Sequence, residues 1–216
     1  IVPVAARQEP TPEQRELSWD DVTPVDTIGL EVGYRLIPLV DKNQGGQLME
    51  RIKVVRKKLT NEIGFLIPSV HIRDNLDLSP NAYRISLMGV VVGESEIHPE
   101  RYLAINSGNV FGKLQGIPGK DPAFGLEAVW VESALRDQAQ TMGYTVVDAS
   151  TVVATHLSQV LQDHAHEILG REEVQHLLDS LGKSSPKLVE DLVPNTLPMG
   201  VVLQVLRNLL EERIPI

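Results

Sequence analysis

The chain contains no cysteine, which removes disulfides, thiol nucleophiles and thiolate metal sites from consideration. Aromatic side chains make up only 4% of its 216 residues, so any core must rest on Val, Leu, Ile and Ala. No apolar run approaches the roughly 18–20 residues needed to span a bilayer. No basic start leads into an apolar signal segment either. Positive charge is in deficit: 20 Lys and Arg against 29 Asp and Glu give a formal net charge of −9. That is the wrong sign for a duplex-binding face, so nucleic acid is not an expected partner. The phosphate-cradling Gly-x-x-x-x-Gly-Lys-Ser/Thr and Gly-x-Gly-x-x-Gly patterns are missing, as is the Gly-x-Ser-x-Gly nucleophile elbow. What remains is ordinary for a soluble globular protein, 42% hydrophobic and 23% charged, and long enough to bury a core.

The most informative stretch runs from Asp121 to Leu157. Ala128–Val131 and Tyr144–Val147 are β-branched or aromatic at nearly every position and predict buried strands. Between them, residues 133–142 read as a helix capped by Ser133 and stopped by Gly143, giving a compact βαβ-type unit. Asp148 or Ser150 then caps a long helix carrying Thr155.

Upstream, residues 1–26 hold Pro3, Pro10 and Pro12 among polar side chains and read as a linker. Thr27–Tyr34 predicts a strand, and Arg35–Val40 a turn-like segment broken by Pro38. Gln47–Ile63 places Leu48, Met49, Ile52, Val55, Leu59 and Ile63 on one helical face, with Gly64 as its stop. Its other face carries Arg51, Lys53, Arg56, Lys57 and Lys58, the one concentrated basic surface. Such a run is usually a solvated face, though Arg56, Lys57 and Lys58 could also meet an acidic partner. Phe65–Arg73 reads as an edge or bulged strand because of Pro68, and Asn81–Val92 as one further strand. Gly93-Glu94-Ser95 and His98-Pro99-Glu100 mark a boundary, and residues 106–121 a mobile loop. From Ser150 onward the chain is helical, with stops at Gly170 and Gly182, a hinge at Ser184-Ser185-Pro186, and a last amphipathic helix over Leu197–Leu210.

The histidines are the remaining candidates for chemistry. His156 lies among apolar neighbours on its helix, which favours a satisfied core histidine over a base. His164 and His166 flank a position beside Glu167, yet an i,i+2 pair on a helix points its rings apart, so no metal site is expected. No cofactor is implied, and a small hydrolase or metal-dependent enzyme using His156, His164 or His166 is the low-ranked alternative.

Several ordered segments carry a family resemblance. Asp121-Pro122-Ala123-Phe124-Gly125-Leu126 with Trp130, Gly143–Val147, Val153-Ala154-Thr155-His156-Leu157, Gly29–Pro38 and Val70–Asp74 resemble the cytoplasmic part of the type III export gate family, the flagella/HR/invasion protein export pore, and its flagellar branch in particular. The likeness runs from about Leu17 to the end. It implies a non-enzymatic platform that docks export chaperone–substrate complexes and works with an export ATPase complex and other gate components. It would be arranged as a nonameric ring beneath the bacterial inner membrane. The same part of a virulence secretion system is the nearest alternative.

The resemblance also implies a fold: an α/β (α+β) chain of several subdomains. A split thioredoxin-like unit (residues 27–98 plus 149–165) would hold an inserted ferredoxin-like unit (residues 99–148). A truncated, winged-helix-like helical unit would follow (residues 166–216). A chain starting at Ile1 without methionine reads as a fragment. The missing parts would be a membrane domain before it, the chain's only link to the bilayer, and a further subdomain after it. By resemblance, chaperone contacts fall on Asp121, Phe124, Val152 and Thr155, and a linker motif of Glu16, Trp19 and Asp21 packs on a neighbouring subunit. Phe124 would be an apolar anchor rimmed by the Asp121 acceptor and the Thr155 hydroxyl.

Overall fold

The computed structural model describes residues 18, 21–22, 24–41 and 46–216. Among the described residues, eight strands form two four-stranded sheets. The first contains β1 (Ile28–Val32), β2 (Val70–Asp74), β3 (Ala82–Leu87) and β4 (Val90–Glu96), in the order β2-β1-β3-β4. β1 runs parallel to β2 and antiparallel to β3, which pairs antiparallel with β4. The second sheet contains β5 (Tyr102–Ile105), β6 (Ile117–Lys120), β7 (Glu127–Val131) and β8 (Thr145–Asp148), in the order β6-β7-β5-β8. Because β7 and β8 both run antiparallel to β5, they are parallel to each other with β5 between them. α3 (Arg136–Thr141) makes the crossover, so the expected βαβ unit is present in a split form.

The remaining helices are α1 (Ile37–Val40), α2 (Gln47–Ile63), α4 (Ala149–Asp163), α5 (Ala165–Ile168), α6 (Arg171–Ser184), α7 (Pro186–Leu192) and α8 (Met199–Glu211). α2 forms where its apolar spacing demands it, burying Leu48, Ile52, Leu59 and Ile63. Gly64 ends it at φ +103°, a left-handed conformation that glycine adopts without steric penalty. α4 starts at Asp148, whose carboxylate accepts the Thr151 amide at 3.0 Å and the Thr151 hydroxyl at 2.8 Å. β3 alternates buried and half-buried positions, as a strand with one face on a core should. One continuous core joins its inner residues, Tyr83 and Ile85, to α2 and α4. It runs on to Leu103 and Trp130 of the second sheet and to Leu169, Val174 and Leu210 near the end of the chain.

Several expected elements differ. Asn81–Val92 is a hairpin, with Met88 (φ +47°) and Gly89 (φ +80°) forming a two-residue turn of the mirror-image kind. Gly93-Glu94-Ser95 lies inside β4 instead of at a boundary. Residues 106–121 include β6, which pairs with β7, so the mobile-loop reading fails over Ile117–Lys120. The strand expected from Phe65 starts only at Val70, although β2 is an edge strand as Pro68 suggested. Pro38 sits within the first turn of α1, where a missing N–H is harmless, and does not break it. Ser133 opens a 3-10 turn and caps nothing. Gly182 is internal to α6, whose end is set by Pro186 opening α7.

Candidate docking groove

α2 and α4 lie side by side and leave a cleft of about 500 Å³ between them. Glu50, Arg51, Val54, Val55 and Lys58 line it from α2, and Thr151, Ala154, Thr155, Ser158, Gln159 and Gln162 from α4, with Phe124 also in the lining. Val54 is 67% exposed and Phe124 62% exposed, so two large apolar side chains face water here. The opposite arrangement would be normal, since a buried aromatic removes about 150–250 Å² of surface from water.

Phe124 is held out by the loop that carries it. The Asp121 carboxylate accepts the Phe124 amide at 2.9 Å. The Asp121 amide donates to the Leu126 carbonyl at 2.8 Å, and the Asp121 carbonyl accepts the Gly125 amide at 2.8 Å. Gly125 takes φ +69°, closing the loop where a side chain would be strained.

Of the four expected contact residues, Phe124 and Thr155 line the cleft together. Asp121 and Val152 do not rim it: they are 2% and 1% exposed. Asp121 turns inward because its acceptor is used by its own loop, and Val152 sits one face round α4, in the core. The basic face is likewise divided. Arg56 does not present a free cation, because its Nη2 donates to the Ile67 carbonyl at 2.8 Å and pins the segment after α2. Lys57 and Lys58 are exposed, and Lys58, 3.7 Å from Glu62, forms part of the cleft wall. Arg51 is tied to the α4 cap through Asp148 at 2.8 Å. In the linker, Glu16 and Trp19 lie outside the described residues; Asp21 accepts the Ser18 amide at 2.8 Å. Sequence reasoning missed Val54 and Gln159 as lining residues. The available signal was an isolated Val among Lys and Arg on the polar face of α2.

The histidines are structural in their surroundings. His156 is 7% exposed, with Nδ1 2.8 Å from the Tyr83 hydroxyl and its ring against Gly93, where a Cβ would come within 3.0 Å. Burial lowers its pKa, and the charge of Asp121 partly opposes that. Burial, then Asp121, raises that of Tyr83. The helix is interrupted between α4 and α5 at His164. There His164 Nδ1 and His166 Nε2 both approach Glu167 Oε1, at 2.9 and 3.7 Å, so the rings converge where an unbroken helix would have parted them. Among the described residues no group of three His, Cys, Asp or Glu side chains is placed to hold a metal ion.

One arrangement invisible in the sequence is Ser69–His71–Asp26, with Ser69 Oγ 3.1 Å from His71 Nε2 and Asp26 Oδ1 3.1 Å from His71 Nδ1. Its order is that of a hydrolase relay. But the His71 side chain is 53% exposed and Arg73 takes the other Asp26 oxygen at 2.6 Å, so the three belong to a solvated polar cluster at the end of the linker.

The matched sequence family is the FHIPEP family, over residues 3–216, and the chain belongs to it. It is 54% identical over 201 residues to the flagellar biosynthesis protein FlhA of Escherichia coli (strain K12), covering 93% of this chain and 29% of that protein. This chain thus spans under a third of the length of the curated relatives it matches. In fold it is similar to the Chlamydia pneumoniae CdsV protein, with a TM-score of 0.74 at 23% identity, covering 92% of this chain and 58% of the other. It is also similar to nonameric EPEC SctV-C, at 0.63 and 16%, covering 90% and 57%. The mixed α/β fold is the one this chain shares with these two solved structures. Among the described residues, no helix is long and apolar enough to cross a membrane.

Proposed function

We propose that this chain is a non-enzymatic docking platform of the flagellar type III export gate, receiving export chaperones loaded with their substrates and passing them toward the membrane channel. The observation that carries the reading is Phe124, exposed in the lining of the cleft between α2 and α4. A groove with a projecting aromatic ring, an exposed valine, one wall of hydroxyl and amide side chains and charged residues on the other suits an amphipathic helix laid in by spaced apolar anchors. Identity to flagellar proteins favours the flagellar system over a virulence apparatus. The division into a split first unit, an inserted unit and a helical unit belongs to the same reading. So do the working place at the cytoplasmic face of the inner membrane and the export ATPase complex as a partner. A nonameric ring, with Glu16, Trp19 and Asp21 reaching the next subunit, completes the arrangement.

The test is titration calorimetry of the protein with flagellar chaperone–substrate complexes, using Phe124→Ala as the control. Saturable binding that weakens at least ten-fold in the variant, with the melting temperature unchanged, supports the reading. Equal affinity in both proteins removes the groove from it.

A further inference from the structure

Each sheet leaves two edge strands, β2 and β4 in the first and β6 and β8 in the second. An edge is a row of unpaired amides and carbonyls, and proteins usually blunt it against chance pairing. β2 carries His71 and Arg73, both bound to Asp26. β6 is four residues long and holds Pro118 and Lys120, and β8 is four residues long and runs straight into α4. β4 is the exception. It has seven residues, no proline and no lysine, and it opens on Val90-Val91-Val92. Val90 is 65% exposed and Val91 48%.

Pairing with β3 fixes which groups of β4 are free. In a two-residue hairpin the pair flanking the turn, Leu87 and Val90, bonds to each other, so Val91 turns its amide and carbonyl away from β3. At the far end the Ile97 amide donates to the Asn81 carbonyl at 2.9 Å, and the same alternation turns the peptide groups of Glu94 and Glu96 outward. The extra residue of a bulge, Val92, absorbs the change of phase between the two ends. Among the described residues no backbone hydrogen bond closes any of these three positions. The edge is thus apolar at one end and acidic at the other. Glu94 faces Arg84 at 3.4 Å, whereas Glu96 lies across from Ala82, with no cation opposite.

We propose that β4 is a strand-addition site for an extended polypeptide segment in which apolar or β-branched residues alternate with Lys or Arg. The segment bonds to the outward peptide groups of Val91, Glu94 and Glu96. Main-chain pairing makes such recognition tolerant of sequence, while the two carboxylates select a basic segment over an acidic one. The net charge of −9 acts in the same direction. It also opposes a second copy of this chain as the occupant, because β4 against β4 would bring two acidic edges together. The site shares no lining residue with the cleft between α2 and α4 and does not rest on the docking reading.

The experiment titrates the isotope-labelled 216-residue protein with a peptide of alternating valine and lysine, seven residues long like β4, followed by amide NMR and hydrogen exchange. The amides of Val91, Glu94 and Glu96 are expected to exchange freely in the unbound protein and about ten-fold more slowly with peptide in ten-fold excess over its Kd. The same peptide N-methylated throughout keeps its side chains and charge, loses its donors and should not bind. A glutamate-for-lysine peptide should bind about two- to five-fold more weakly, and Glu96→Lys should reverse that order. Val91→Pro removes one outward amide and should weaken binding about five-fold. Glu96→Lys, a surface change, carries the test if Val91→Pro does not fold. Phe124→Ala should bind the peptide like the parent protein.

Edge amides already protected in the free protein overturn the inference, since the chain then covers its own edge. So does an N-methylated peptide of equal affinity, or the absence of protection up to the solubility limit of the peptide. Shifts confined to the cleft between α2 and α4, or dimerisation through β4 without peptide in sedimentation, overturn it as well.

Discussion

The Tyr83 hydroxyl and the Nδ1 atom of His156 lie 2.8 Å apart, joining the middle of the first sheet to the inner face of α4. Both groups are buried, and their rings meet edge to face at 5.7 Å between centroids. A buried polar pair of this kind is stable only while each partner satisfies the other.

That pair predicts an acid-side loss of stability. Burial lowers the pKa of His156 below its ordinary 6.5. Above that pH the imidazole is neutral folded and unfolded, and contributes no pH dependence. Below about 6.5 the unfolded chain takes up a proton that the folded one refuses, so stability falls as pH falls, by at most about 1.4 kcal/mol per pH unit for one group. The fall ends once pH passes below the folded pKa. His98, lowered by burial and then by Arg101, adds a slope of the same sign. Urea denaturation between pH 7.5 and 5 should show a positive dependence on pH that is shallower in His156→Gln, and an identical slope in that variant would rule out His156 as a source.

Tyr83→Phe separates packing from hydrogen bonding in the same pair. The ring remains, while Nδ1 of buried His156 loses the Tyr83 hydroxyl as its partner. A loss of about 1–3 kcal/mol is expected by chemical denaturation. A loss near zero would mean that His156 is satisfied in some other way.

How much of this could be read from the chain depends on how local the physics was. α2 was legible because Leu48, Ile52, Leu59 and Ile63 repeat at helical spacing and Gly64 follows. The Asp148 cap was legible because capping is a three-residue interaction. The β3–β4 hairpin was not, since Met88 adopts φ +47° without being a residue that favours it, and the continuous valines beyond hid the turn. β6 was missed because Ile117-Pro118-Gly119-Lys120 has no strand propensity of its own and is a strand through pairing with β7. At the groove, Phe124 could be placed on an exposed turn from Pro122 and Gly125. Whether Asp121 and Val152 faced outward could not, because that depends on how the second sheet meets α4.

Val152 and Thr155 therefore predict opposite phenotypes from neighbouring positions on α4. Val152 is 1% exposed, and Val152→Ala should cost about 2 kcal/mol in stability by removing buried methyl groups. Thr155 is half-buried in the groove wall, and Thr155→Ala should leave stability within about 0.5 kcal/mol while weakening chaperone binding. Thermal denaturation and titration of both variants test this. Equal stability losses would mean that Thr155 belongs to the core.

Gly64 is the point where α2 meets the last residue of the chain. Its amide donates to the Thr60 carbonyl at 3.1 Å, its φ is +103°, and a Cβ there would be driven into the Ile216 carbonyl. Ile216 in turn donates its amide to the Ile63 carbonyl at 2.9 Å, stitching the segment after α8 to the end of α2. Two penalties then fall on Gly64→Ala, the left-handed backbone and the displaced strap. The first alone is about 1–2 kcal/mol. A total loss of roughly 2 kcal/mol or more in urea denaturation is expected, accompanied by faster exchange of the Ile216 amide, because that bond cannot survive an added methyl group. A variant with full stability and a protected Ile216 amide would show that the strap moves aside freely, and that α8 is not fastened to α2 through this contact.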